Sequence, residues 1–312
     1  MALSIQSNMA SMSIQNQLGR SNNDLSTALE RLGSGFKINS AKDDAAGLQI
    51  ASRLNAQVRG QEAALYNSNN AMSMMQTAEG AFDEMTNIAY RMKELATQAA
   101  NGTNGDDEFT AMNSEYVALG DELASIMQNT SFGGTALFAI VAADNDGTTA
   151  GQRVTAEVTA ANKGKFEDVA AANAGVVFQV GSSTAETLTV DIASEINELH
   201  VAIGTAAADQ TAMGELDTQA NAVLAIDEVD GLIENIGTAR SALGASMNRL
   251  DHTMNNVTNM KENTQAAAST LMDADFAAET SNMTKQQLLM NSGISVLSTA
   301  NSTTQMIGSL LR

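Results

Sequence analysis

Apolar residues recur at steps of three, four or seven over most of this chain, the spacing of one face of a helix. Near the amino end Ile14, Leu18, Leu25, Ala28 and Leu32 form such a stripe, with Leu29 beside it. At the carboxyl end Leu288, Leu289, Ile294, Leu297, Met306, Ile307, Leu310 and Leu311 form a looser one. No proline interrupts either. A stripe that a terminal helix cannot bury alone is covered by assembly, so both ends point to a self-associating protein.

Between the ends the pattern predicts three further helices. Gly33, Ser34 and Gly35 interrupt the first tract, and a new start follows at Ser40, whose hydroxyl is placed to cap the amides near Asp43. The second tract, Ala45 to about Ala100, carries Leu54, Val58, Leu65, Met72, Met75, Phe82, Met85, Met92 and Leu95. At 1.5 Å per residue it would extend on the order of 80 Å, a rod and not a globule. Asn101-Gly102 and Asn104-Gly105 supply a stop built from residues that tolerate a left-handed backbone, and Asp106, Asp107 and Glu108 open a third tract through Phe109, Met112, Tyr116, Leu119, Leu123 and Ile126. The fourth has the cleanest seam: Ile226, Val229, Ile233, Ile236, Leu243, Met247, Leu250, Met254 and Val257, continuing to about Leu271. The fifth starts near Thr280.

From Asn129 to about Gln219 the periodicity changes. Gly133-Gly134 and the β-rich runs Val176 to Val180 and Thr187 to Ile192 predict hairpins, and Ile192 to Ile203 a short helix. Residues 139–175 are weakly patterned and read as a small surface insert or a mobile loop. The fold class is therefore mainly α: a long antiparallel coiled-coil rod formed by the two halves of the chain, with a small β-hairpin region in the middle.

Composition narrows the picture. Three tyrosines, eight phenylalanines and no tryptophan, against 18 methionines, describe helices packed by slender side chains. The formal charge of −20 is unevenly placed. Residues 1–45 balance Arg20, Arg31, Lys37 and Lys42 against Asp24, Glu30, Asp43 and Asp44, and residues 271–312 are nearly neutral. Neutral ends can pack against copies of themselves, while an acidic middle repels polyanions and argues against nucleic acid as a partner. Cysteine is absent, so no disulfide framework is available. No stretch approaches the roughly 20 apolar residues of a membrane span, and the first thirty residues lack the features of a cleavable secretory signal.

Candidate chemistry is sparse. His200 follows Glu198 and His252 neighbours Asp251, but neither lies near a nucleophile elbow or a Gly-rich strand end, so both read as ordinary surface or seam residues. Asp144-Asn145-Asp146-Gly147 begins like a calcium loop, yet its twelfth position is Thr155 where the bidentate Glu belongs. No lysine follows the glycine clusters in phosphate-loop spacing. Met72, Met75, Met85 and Met92 read as core. No cofactor, metal site or enzyme activity is expected.

Asp24 to Ala51, reading DLSTALERLGSGFKINSAKDDAAGLQIA, resembles the amino-terminal signature of the bacterial flagellins. MDADFAAETSNMTKQQLLMNSGISVLSTAN, with the closing SLLR, resembles their carboxyl-terminal signature. RMKELATQAANGTNG, NRLDHTMNNVTNM and, more weakly, FQVG are similar to further regular regions, so the likeness covers roughly residues 1–135 and 219–312. One departure is that the family often carries a proline where this chain reads STTQMIG.

The resemblance implies an extracellular filament subunit for swimming motility, exported without a cleavable signal peptide and added at a growing tip. It divides the chain into residues 1–44, the amino-terminal part of an inner core with its connecting spoke; 45–138, the amino-terminal part of a rod; 139–175, a variable surface insert; 176–270, the hairpin and the rest of the rod; and 271–312, the rest of the inner core. Ile14, Leu18, Leu25, Leu29, Leu32, Leu288, Leu289, Ile294, Leu297, Ile307, Leu310 and Leu311 would form the polymerisation core. The implied partners are further copies of the chain, an export chaperone holding Leu310 and Leu311, cap and junction proteins, and an animal innate immune receptor touching Arg91, Leu95 and Glu115. Other readings are a hook-filament junction protein, a non-polymerising adhesin-like coiled coil, and an enzyme with coiled-coil arms, for which no acid, base or nucleophile cluster is found.

Overall fold

A computed structural model of the chain describes residues 8–138, 166, 175–203 and 215–310. The described elements are α1 (Met9–Ser34), α2 (Ala45–Ala99), α3 (Asp106–Asn129), β1 (Ser131–Phe132), β2 (Thr135–Ala136), β3 (Val176–Gln179), β4 (Thr187–Val190), α4 (Ala193–Ile203), α5 (Gln219–Met272) and α6 (Phe276–Leu310). They fall into two compact units, one of Met1–Arg59 with Lys261–Arg312 and one of Gly60–Met260, whose boundaries lie inside α2 and α5. The chain is mainly α with small antiparallel hairpins, as its periodicity predicts.

In the first unit α1 and α6 pack along each other. α1 closes at Gly35, whose N–H donates to Arg31. The chain after it pairs with the segment before α6: Lys37 N–H donates to Met272 O at 2.6 Å and Ala274 N–H to Gly35 O at 2.9 Å. Capping here differs from the sequence expectation. Asp43, not Ser40, supplies the acceptor: its carboxylate takes the Asn39 N–H, the Ser40 N–H and the Ser40 hydroxyl at 3.2, 3.0 and 3.1 Å. An ionised carboxylate offers more and stronger acceptor sites than a hydroxyl. The Ser40 hydrogen bonds hold the Asp43 carboxyl below its usual range. α2 itself is capped by Asp44, which accepts the Gly47 N–H at 2.8 Å.

In the second unit, parts of α2 and α5 lie antiparallel, tied by Arg240 to Glu79 and by Lys93 to Asp230. α3 turns back on α2, and Arg91 bridges to Glu115. The core is one continuous cluster that includes Met75, Phe82, Met85 and Met92 of α2, Tyr116 and Leu123 of α3, and Leu232, Ile236, Leu243 and Leu250 of α5. Fully burying one such side chain contributes about 1.5–3 kcal/mol. The stop after α2 does not use left-handed glycines, since neither Gly102 nor Gly105 has a positive φ. Side-chain amides do the work instead: Asn104 Nδ2 donates to Gln98 O at 2.7 Å and Gln219 Nε2 to Ala100 O at 2.9 Å.

Gly133 and Gly134, at φ 61° and 80°, form the two-residue turn between β1 and β2, the geometry that a tight hairpin demands. β3 and β4 pair from Val176↔Val190 to Gln179↔Thr187. Within the stretch read as a surface insert, Phe166 is a core residue. It stacks on Phe138 with centroids 6.3 Å apart, and Phe138 tilts against Phe82 at 4.8 Å. The neighbouring residues of that insert, including Asp144 to Gly147, lie outside the described ones.

Candidate functional site

The α1 and α6 pair is held by a seam of small and slender residues. From α1 it takes Ser11, Ile14, Leu18, Ser21, Leu25, Ala28 and Leu32; from α6 it takes Glu279, Met283, Gln286, Met290, Gly293, Leu297 and Ala300, all buried or half-buried. Every step within each set is three or four residues, the heptad rhythm of a coiled-coil seam. Contacts fix the register as antiparallel: Asn8 Nδ2 donates to Ala300 O at 3.2 Å, Ser11 Oγ to Asn301 Oδ1 at 3.1 Å, and Arg31 pairs with Glu279 at 3.2 Å. Leu18 lies against Gly293, midway between them.

This arrangement divides the residues that the sequence grouped together. Ile14, Leu18, Leu25, Leu32 and Leu297 face the seam and are partly buried within one molecule. Leu29, Leu288, Leu289 and Ile294 face outward, at 50%, 66%, 44% and 56% exposure. The α6 seam is instead Met283, Met290 and Leu297 at steps of seven, with Gly293 and Ala300 between and beyond. That rhythm is visible in the sequence, but Glu279 and Gln286 continue it with polar residues while the larger aliphatics lie elsewhere. Ile307 and Leu310 close α6, but their side chains and all of Leu311 lie outside the described residues. α6 runs on as helix through STTQMIG, so the chain stays helical where the family often has a proline.

In the second unit Arg91 and Glu115 are both exposed and bonded to each other, Nη2 to Oε1 at 2.7 Å, with Glu94 on Arg91 Nη1 at 2.6 Å. These acceptors raise the Arg91 pKa further. Leu95 is 2% exposed and belongs to the core beneath them. His200 is not a surface or open-seam residue. It is buried in α4 with Nε2 2.7 Å from Phe138 O, so that nitrogen carries the proton, and burial lowers its pKa. His252 is exposed on α5. Tyr116 is buried, its hydroxyl has no hydrogen-bond partner among the described residues, and it lies beside a small cavity lined by Ala202, Glu228, Val229 and Leu232. Among the described residues no helix is long and apolar enough to cross a membrane.

Residues 5–143 match the family model described as the bacterial flagellin N-terminal helical region, and residues 226–311 match the bacterial flagellin C-terminal helical region. The chain belongs to the bacterial flagellins. Its two matched regions hold α1 to α3 and nearly all of α5 and α6, so the family likeness rests on the helices that build the seam and the core. This flagellin is 34% identical to flagellin A of Vibrio anguillarum, with 100% of both chains covered. It is 35% identical to flagellin D of Vibrio cholerae serotype O1, over 96% of this chain and 97% of that one. The solved Bacillus cereus flagellin is 29% identical, covering 65% of this chain and 94% of that one, with a TM-score of 0.46. A putative flagellar hook-associated protein from Vibrio parahaemolyticus aligns over 74% of this chain and 99% of that one at a TM-score of 0.50 and 17% identity, a likeness of fold alone. As a flagellin, the protein is a structural subunit of the flagellar filament.

Proposed function

We propose that the flagellin polymerises through the outward-facing apolar residues of α1 and α6, with Leu29, Leu288, Leu289 and Ile294 as the contacts between copies and Ile14, Leu18, Leu25, Leu32 and Leu297 holding the pair that presents them. One observation carries this reading: the two helices already fill each other's seam, and these four aliphatics still stand in solvent. Burying each against a neighbour contributes on the order of 1 kcal/mol or more, summed over every subunit of a growing polymer. A contact between unlike faces does not close on itself and builds an open helical filament. The carboxyl end of α6, with Ile307, Leu310 and Leu311, extends this core and is the segment an export chaperone would hold in an apolar groove.

The filament stands outside the cell, and cap and junction proteins meet its two ends. The role is structural, not enzymatic. Arg91 and Glu115 form the surface offered to an animal innate receptor, with Leu95 supporting it from beneath. The experiment compares wild-type protein with the Leu288→Glu, Ile294→Glu double variant in seeded elongation followed by electron microscopy. The variant is expected to keep its helicity and melting point but add no length to seeds. Tubes of wild-type length from the variant would overturn the reading, and stunted, capped particles from the wild type would favour a junction protein.

A further inference from the structure

We propose that Met9, Met12 and Met306 form an oxidation-sensitive set, and that converting them to the sulfoxide bars an unassembled subunit from the polymer. The inference rests on the proposed assembly through the α1 and α6 pair and extends the contact surface to the end of that pair where these methionines stand. With 18 methionines and no cysteine, the thioethers are the sulfur atoms an oxidant can attack. Their accessibility is graded: several described methionines are half-buried, and Met260 of α5 is 36% exposed. Met74, Met75, Met85, Met92 and Met127 are buried in the core of the second unit, whereas Met9, Met12 and Met306 are 68%, 54% and 59% exposed. All three belong to the α1 and α6 pair, and they share one end of it: the Asn8 to Ala300 and Ser11 to Asn301 bonds bring the start of α1 beside the last turns of α6.

The chemistry needs only a peroxide. The thioether sulfur attacks one peroxide oxygen with a lone pair, the O–O bond breaks, and S–O forms; sulfur loses two electrons and water leaves. The product is a flexible apolar side chain turned into a polar one with a strong acceptor oxygen. Against water this costs nothing. On a face that must be dried by a neighbouring copy, the oxygen loses its hydration and meets aliphatic side chains. Assembly in turn removes the sulfurs from solvent, so the free subunit is the vulnerable form and the polymer is protected.

The test treats full-length monomer with dilute hydrogen peroxide, maps added oxygen by peptide mass spectrometry and measures elongation from untreated seeds. Oxygen should appear first at Met9, Met12 and Met306, and elongation should fall about tenfold or more, the factor that one unpaired polar group at a buried contact is worth. The same peroxide dose on preformed polymer should leave those sites reduced. The Met9→Leu, Met12→Leu, Met306→Leu variant should elongate after peroxide as it does before. If untreated wild type does not elongate, the assembly reading itself fails. If it does, and oxidised wild type elongates equally fast or the leucine variant is inhibited equally, the oxidation proposal is overturned. Should the leucine variant not assemble at all, methionine sulfoxide reductases acting on oxidised wild type decide: elongation returns with the thioethers, or the proposal is wrong.

Discussion

A Cβ at Gly293 would stand 2.7 Å from Leu18 Cδ2 and 3.2 Å from its Cγ, so α6 meets α1 through a position with no side chain. Glycine inside a helix costs about 1 kcal/mol relative to alanine, and here the cost is offset by the closer approach of the two backbones. Gly293→Ala should be near neutral, because the helix gains what the displaced Leu18 methyl group loses. Gly293→Leu has no such room and should push the pair apart. Hydrogen exchange along Met9–Ser34 should rise markedly in Gly293→Leu and recover in part when Leu18→Ala is added, a coupling that independent sites would not show.

The contrast between the seam and the outward face explains how much of this site was legible in the sequence. α1 could be read because its seam residues are also its larger aliphatics, Ile14, Leu18, Leu25 and Leu32. α6 could not, because glutamate, glutamine, glycine and alanine occupy seam positions while Leu288 and Ile294 point away. A hydrophobic stripe reports where apolar surface is, and not which partner covers it. The core of α5 was legible from steps of three, four and seven. Phe166 was not, because one aromatic in a stretch of small polar residues carries no periodicity, and its partner Phe138 is distant in sequence. The stop after α2 was placed correctly for a different reason than its glycines suggested, since a side-chain amide satisfies a helix carbonyl without any unusual backbone angle.

Tyr116 buries a hydroxyl that has no hydrogen-bond partner among the described residues, a cost of about 1–3 kcal/mol that its ring burial outweighs. Tyr116→Phe should therefore raise the melting temperature or leave it unchanged, whereas Tyr116→Ala should lose roughly 3–5 kcal/mol. Burial, with the Glu228 carboxylate adding to it, pushes the phenol well above its ordinary pKa. The sign follows: above about pH 10 the unfolded phenol ionises while the folded one stays protonated, so stability falls as pH rises. Denaturant titrations at neutral pH and above pH 10 should show a smaller alkaline loss in Tyr116→Phe than in wild type.

His200 should give the opposite slope at acid pH. Burial lowers its folded pKa below the ordinary 6.5, so as pH falls below that value the unfolded imidazole takes a proton that the folded one refuses. Stability is then lost at up to about 1.4 kcal/mol per pH unit until the folded pKa is reached. His200→Gln keeps a donor for Phe138 O and cannot titrate. Its unfolding free energy should change less between pH 7 and pH 5 than that of wild type.

Phe166 is the sharpest test of where the core of the second unit ends. Its ring is fully buried, it stacks on Phe138, and its N–H donates to Leu137 O at 3.3 Å, so one residue of a weakly patterned stretch is anchored by both side chain and backbone. Phe166→Ala should remove the transfer energy of the ring and leave a cavity against Phe138, a loss of about 3–5 kcal/mol in unfolding free energy. Phe166→Leu, which refills most of the volume, should recover more than half of it. Phe166 is not one of the seam residues of α1 and α6, so seeded elongation at a temperature where the variant stays folded should match wild type. Were Phe166→Ala to melt like wild type, the segment would be a surface insert throughout.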